Sequence, residues 1–126
     1  MLNKQKAKSL KNMAELTLQR LRESNLLKYP SNSLTDYYDI IHKLMESLTN
    51  LEGIKIKGDG AHQELIDHIC SKHEFSEADK IFLQEMRDLR NRINYEGFFV
   101  NEFFINSNKD RIELIIQKLL NLILLD

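Results

Sequence analysis

The residues best suited to holding a phosphate lie together in Arg87-Asp88-Leu89-Arg90-Asn91-Arg92-Ile93-Asn94-Tyr95-Glu96-Gly97. At about 100° per helical residue, Arg87, Arg90, Asn91 and Asn94 share an arc of about 100°. The apolar residues Ala78, Phe82, Met86, Leu89 and Ile93 fall within about 80°, and the two arcs are centred about 140° apart. The spacing therefore predicts a polar cluster directed away from its own core, toward solvent or a partner. Arg87, Arg90 and Arg92 supply charge suited to phosphate oxygens, which guanidinium meets with two parallel donors. A solvated helix face with arginine–carboxylate pairs fits the same pattern, and spacing alone leaves both readings open.

Four histidines and one cysteine are the other reactive groups. His62, Glu64, Asp67, His68, Cys70 and His73 crowd one short stretch. Only Glu64 and His68 have the four-residue spacing that puts two ligands on one helical face. The HExxH and CxxC patterns are absent, so no metal site is expected. His42 lies beside an apolar stripe and reads as a hydrogen-bonded boundary residue. Cys70 follows Ile69 and reads as a small, buried or semi-buried side chain. The four glycines fit neither a P-loop nor a dinucleotide fingerprint, and no cofactor is expected.

The few Gly and Pro residues mark the joints between the elements that must position these groups: Pro30, Gly53, Gly58, Gly60 and Gly97. Helical periodicity predicts a first helix from about Asn3 to Ser24, with Leu10, Ala14, Thr17 and Leu21 on one stripe. Pro30 and Ser31-Asn32-Ser33 read as the turn, with Ser33 as N-cap of the second helix. That helix carries Leu34, Tyr37, Ile41, Leu44, Leu48 and Leu51, widened by Tyr38, Ile40 and Met45, and should end near Gly53. Lys55–Gly60 reads as a loop. A shorter third helix has Ala61, Leu65 and Ile69 on one side. Ser76 with Asp79 signals the start of a fourth helix, and Gly97 is placed to be its left-handed terminator. Phe98–Ser107, with four of the six Phe, reads as a segment able to form a short turn of helix, and the last helix as about Lys109 to Leu125. The Phe98-Phe99 and Phe103-Phe104 pairs could stack bases; core or dimer packing fits them better.

The composition agrees with helices throughout. Gly and Pro number four and one in 126 residues, where an average chain would hold about 15. That shortage disfavours β-sandwiches and barrels, which need a turn every 8–12 residues or so. The expected fold is an all-α, up-down antiparallel four-helix bundle with an additional short helix, about five helices in one domain over residues 1–126. The net charge of −1 gives no general basic surface. Residues 1–30 carry seven basic and two acidic side chains, and residues 31–86 five and eleven. Any polyanion site is therefore local. A single cysteine fits a reducing compartment. Apolar runs reach only four residues, far short of the ~20 that span a membrane. The expected location is cytoplasmic, without membrane partners.

The run Leu89-Arg90-Asn91-Arg92-Ile93-Asn94-Tyr95-Glu96-Gly97 resembles the signature of HEPN domains (higher eukaryotes and prokaryotes nucleotide-binding), of the small stand-alone prokaryotic type. Tyr38–Glu46 resembles the family's second helix, and Leu51–Lys55 with Ala61–Ile66 the link into its third; the likeness extends from about Leu10 to Leu122. The resemblance implies a helical bundle that dimerises so that two Arg–His motifs face each other. It implies metal-independent endoribonuclease activity in some members, often as toxins paired with a nucleotidyltransferase antitoxin, and binding or assembly roles in others. Arg90 takes the place of the motif arginine and Asn91 that of its polar follower.

Tyr95 departs from the family, standing where a histidine is expected. Histidine exchanges protons near pH 6.5, whereas tyrosine titrates near 10. The candidate catalytic set, Arg90, Asn91 and Tyr95, is therefore degenerate, and loss of a general acid or base costs about 10²–10⁴ in rate. Arg87, Arg90 and Asn94 remain candidates for phosphate or RNA binding. The leading expectation is a nucleotide- or RNA-associated module, half of a toxin–antitoxin or defence pair with a nucleotidyltransferase. The alternatives are an active ribonuclease with a variant site and a purely structural helical protein. A homodimer is expected from the resemblance and from Leu119–Leu125, apolar apart from Asn121, one side of which a single bundle leaves uncovered.

Overall fold

The computed structural model describes residues 2–56 and 61–124 of the chain. Five helices follow one another: α1 (Lys4–Arg22), α2 (Pro30–Glu52), α3 (Ala61–Lys72), α4 (Glu77–Glu96) and α5 (Glu102–Leu122). There is no strand among the described residues. The fold is an all-α, up-down antiparallel bundle in which α3 is the short additional helix. The central element is α2, which packs against all four others. Its sequence requires this. Leu34, Tyr37, Tyr38, Ile40, Ile41, Leu44, Met45 and Leu48 are all buried, and with the buried Ser33, Ser47 and Thr49 they span an arc of about 200°. Such a helix is stable only with neighbours on several sides.

Local capping accounts for most of the boundaries. Asn3 Oδ1 accepts from the Lys6 amide at 2.9 Å. Ser76 Oγ accepts from the Asp79 amide at 3.0 Å, the cap expected from the sequence. Gly53 and Gly97 end α2 and α4 with φ of 73° and 67°, the left-handed conformation that favours glycine. Two expected boundaries are corrected. Ser33 is not an N-cap: α2 begins at Pro30, whose fixed φ and missing N–H suit the first helical position. Ser33 is instead buried one turn inside, with Oγ donating to the Leu26 carbonyl at 2.9 Å. The last helix begins at Glu102 rather than near Lys109, because Asn101 Oδ1 accepts from the Phe104 amide at 3.0 Å and starts it seven residues earlier.

Packing then fixes the relative placement of α1 and α2. Ala7 is fully buried, and its carbonyl accepts from the buried Ser47 hydroxyl at 2.7 Å. A small residue on α1 and a small polar one on α2 let the two backbones approach closely. The Asn3 amide also donates to the Asn50 carbonyl at 2.9 Å, tying the start of α1 to the end of α2. Leu18 and Leu21 are buried as expected, whereas Met13, beside the same stripe, is exposed. Arg111 of α5 reaches α4, 3.1 Å from Asp79 and over the Phe82 ring. The expected loop falls largely outside the described residues, with Gly58 and Gly60, as do the side chain of Ala61 and Leu125.

Candidate functional site

The polar arc of α4 does not point uniformly to solvent. Arg87 and Arg90 are each about three-quarters covered, and Arg90 leans over α2. Arg90 Nη2 lies 3.6 Å from Asp39 Oδ1, and Nη1 donates to Asn91 Oδ1 at 3.3 Å. Its Nε is buried without a hydrogen-bond partner among the described residues. Arg87 Nε donates to Gln84 Oε1 at 3.1 Å, and Nη2 is 3.2 Å from Asp88 Oδ1. The expectation of an outward-facing cluster is therefore corrected for Arg90: α2 presents a carboxylate, Asp39, beside it, so its guanidinium gains a charged partner by folding inward. Arg87 keeps its partners, Gln84 and Asp88, on its own helix. Asn94 and Tyr95 are exposed, Tyr95 at 79 %. Arg92 turns elsewhere and stacks on the Phe98 ring at 3.9 Å, bracing the end of α4.

Inward from the arginines lies a group of aromatic and titratable side chains from α2 and α3. The His42 and His62 rings are stacked, with centroids 4.0 Å apart and planes 19° from parallel. His42 Nδ1 lies 2.9 Å from Glu46 Oε1. His62 Nδ1 is hydrogen-bonded to the Tyr38 hydroxyl at 3.2 Å. Both Nδ1 atoms are thus engaged, and no described residue hydrogen-bonds to either Nε2. In the tautomer with its proton on Nε2, His62 accepts from Tyr38 and presents an N–H outward.

The electrostatics of this group follow from its neighbours. Burial pushes the Tyr38 hydroxyl up to about 12, against the pull of Arg87 and Arg90, so it stays a neutral donor. His62 is held below its ordinary value of 6.5, first by burial, then by His42 and Arg90. The hydrogen bond from His42 holds the Glu46 carboxyl below the usual carboxylate range.

The histidines crowded in sequence separate in space. His62 joins α2 at Tyr38, whereas His68 and His73 both approach Glu52, at 3.6 and 2.6 Å, with Lys72 at 3.4 Å. Among the described residues no three His, Cys, Asp or Glu side chains are arranged to hold a metal ion. Cys70 is buried, which pushes its thiol up to about 11 and leaves it a poor nucleophile near neutral pH.

The structure brings together Arg87, Arg90 and Asn91, and leaves Tyr95 apart from them at the exposed end of α4. Sequence reasoning missed Tyr38, Asp39 and the His42–Glu46 dyad as parts of the arginine site. One signal was present: Tyr38, His42 and Glu46 follow at four-residue steps and so share one helical face. The arrival of His62 beside them had no sequence signal. One side of the last helix is buried and some leucine is left outside, as expected: Leu124 is exposed, and further exposed apolar surface lies at an aromatic corner. Leu119 and Ile123 are buried. Phe99 and Phe103 are exposed at 84 % and 74 %, beside a cleft of about 360 Å³ against Leu89 and Phe98. No helix among the described residues is long and apolar enough to cross a membrane. No protein-family model, curated protein or solved structure matches this chain.

Proposed function

We propose that the protein is a HEPN-like module that binds the phosphates of RNA or a nucleotide through Arg87, Arg90 and Asn94, without efficient cleavage. On this reading it works as a homodimer and as one half of a toxin–antitoxin or defence pair with a nucleotidyltransferase. The observation that carries it is the pair of arginines held one turn apart on α4, each braced by its own partner and still partly open to solvent. Bracing reduces the entropy lost when a phosphate displaces water from the guanidinium. Tyr95 supports binding over cleavage: it stands exposed at the end of α4, with no hydrogen bond to a titratable side chain among the described residues.

Labelled RNA incubated in EDTA tests the reading with wild type, Arg90→Ala, Arg87→Ala and Tyr95→His. Wild type should bind and cleave poorly. Arg90→Ala should weaken binding by about 1.5–3 kcal/mol, the scale of a charge-assisted hydrogen bond. Tyr95→His restores the Arg-x4-His spacing and should raise cleavage. Robust wild-type cleavage that depends on Arg90 and Tyr95 overturns the binding reading. Absence of RNA and nucleotide binding in every variant points to a structural protein instead. A nucleotidyltransferase encoded beside this chain and co-purifying with it is the expected partner.

A further inference from the structure

On the side of the imidazole pair toward α1, a cleft of about 380 Å³ opens between α1, the end of α2 and the start of α3. Lys6 of α1 and Lys55, which follows α2, line it together with His42 and His62. Ile54, Ile56 and Leu65 supply an apolar wall. Among the described residues the one carboxylate in the lining, Glu46, is already engaged by His42. Before either imidazole is protonated, the cleft thus carries two cations against one paired anion. Its volume is in the range of small-molecule sites, which combine an apolar lining with a few convergent polar groups.

We propose that this cleft is a ligand site separate from the arginine face, and that it takes a small phosphomonoester. The phosphate meets the two imidazoles, Lys6 and Lys55, and the organic group lies on Ile54, Ile56 and Leu65. The stacked rings argue for an anion in particular. Two imidazolium rings 4.0 Å apart repel each other, and a dianion between them and the lysines removes that repulsion.

Binding therefore takes up protons. The charged and titratable groups facing the pair are Lys6 from α1, Tyr38 and Glu46 from α2, Lys55, and Arg87 and Arg90 from α4. Of these only the imidazoles exchange protons near neutrality. Affinity rises as pH falls from about 8 toward 6.5, and the gain stops near pH 6, where the phosphate itself becomes monoanionic.

The test is an NMR titration of His-labelled protein with adenosine 5′-monophosphate, and with adenosine as the phosphate-free control. The monophosphate should move the His42 and His62 ring signals at about 1 mM or below, and adenosine should not. Lys55→Ala, an exposed change that leaves the core intact, and His42→Gln should each weaken binding about tenfold or more. Arg90→Ala should keep the movement of both ring signals on adding the monophosphate while weakening RNA binding, which separates this site from the arginine face. No movement of either ring at about 10 mM monophosphate overturns the proposal. So does equal binding of adenosine, or unchanged affinity in Lys55→Ala and His42→Gln together.

Discussion

His62 meets His42 face to face and lies within reach of the fields of Arg87 and Arg90, so protonating it adds positive charge where positive charge is already gathered. Its lowered affinity for protons links folding to pH. Above about pH 6.5 the ring is neutral in both folded and unfolded chains and contributes nothing to the pH dependence. As pH falls below that value the unfolded chain takes up the proton first, and stability drops until the lower folded value is passed. Glu46 acts in the same direction at lower pH. Its folded value is depressed by the His42 hydrogen bond, so its contribution is present above the ordinary 4.5 and is lost as pH falls through the lower folded value. Urea unfolding of wild type and His62→Gln between pH 7.5 and 5 should show a shallower decline in the variant. Identical slopes would mean that His62 exchanges its proton as freely in the fold as outside it.

The helices depend on short-range devices that can be removed one at a time. Ser76→Ala takes the cap acceptor from the Asp79 amide and should cost about 1 kcal/mol. Gly97 is a cleaner test of backbone conformation, because a Cβ built there meets nothing within 4 Å while φ is +67°. Gly97→Ala should therefore cost about 1–2 kcal/mol through the left-handed backbone alone. Thermal unfolding of the two variants checks both, and an unchanged Gly97→Ala would mean that the α4–α5 joint relaxes freely. Both devices were legible because a cap or a left-handed stop is encoded within three or four residues. The early start of α5 was less so. Phe98, Phe99, Phe103 and Phe104 look like one apolar connection, and the cap that interrupts them, Asn101, is a single residue. The start of α2 was misplaced for a related reason: Ser33 has the right chemistry for a cap, but Pro30 before it already fixes the first turn.

For the whole molecule, the exposed aromatic corner offers one surface on which the proposed homodimer can be tested. Phe99 and Phe103 lie beside the end of α4 that carries Tyr95, whereas Leu119 and Ile123 are spent inside the bundle. A dimer built on this corner covers aromatic side chains of about 150–250 Å² each and places two α4 ends near each other. Wild type should be a dimer by light scattering at tens of micromolar, and Phe99→Ser with Phe103→Ser should be monomeric with unchanged helicity. A monomeric wild type would count against the homodimer. A dimer indifferent to the double change would place its contact on another face.

The chain order of its residues determined the helical class, the wide apolar stripe of α2, the caps at Ser76 and Gly97, and the arc that joins Arg87 to Arg90. Each rests on spacing within one helix or on hydrogen bonds to neighbouring backbone, and such relations are carried by the local sequence. The tertiary structure decided that Arg90 turns inward to Asp39, that His62 rather than His68 or His73 reaches His42, and that a cleft remains between Lys6 and Lys55. These contacts join residues from different helices, and their partners follow from how the helices cross and in what register. Those are set by the whole packed core, by close approaches such as Ala7 against Ser47, and no spacing along the chain specifies them.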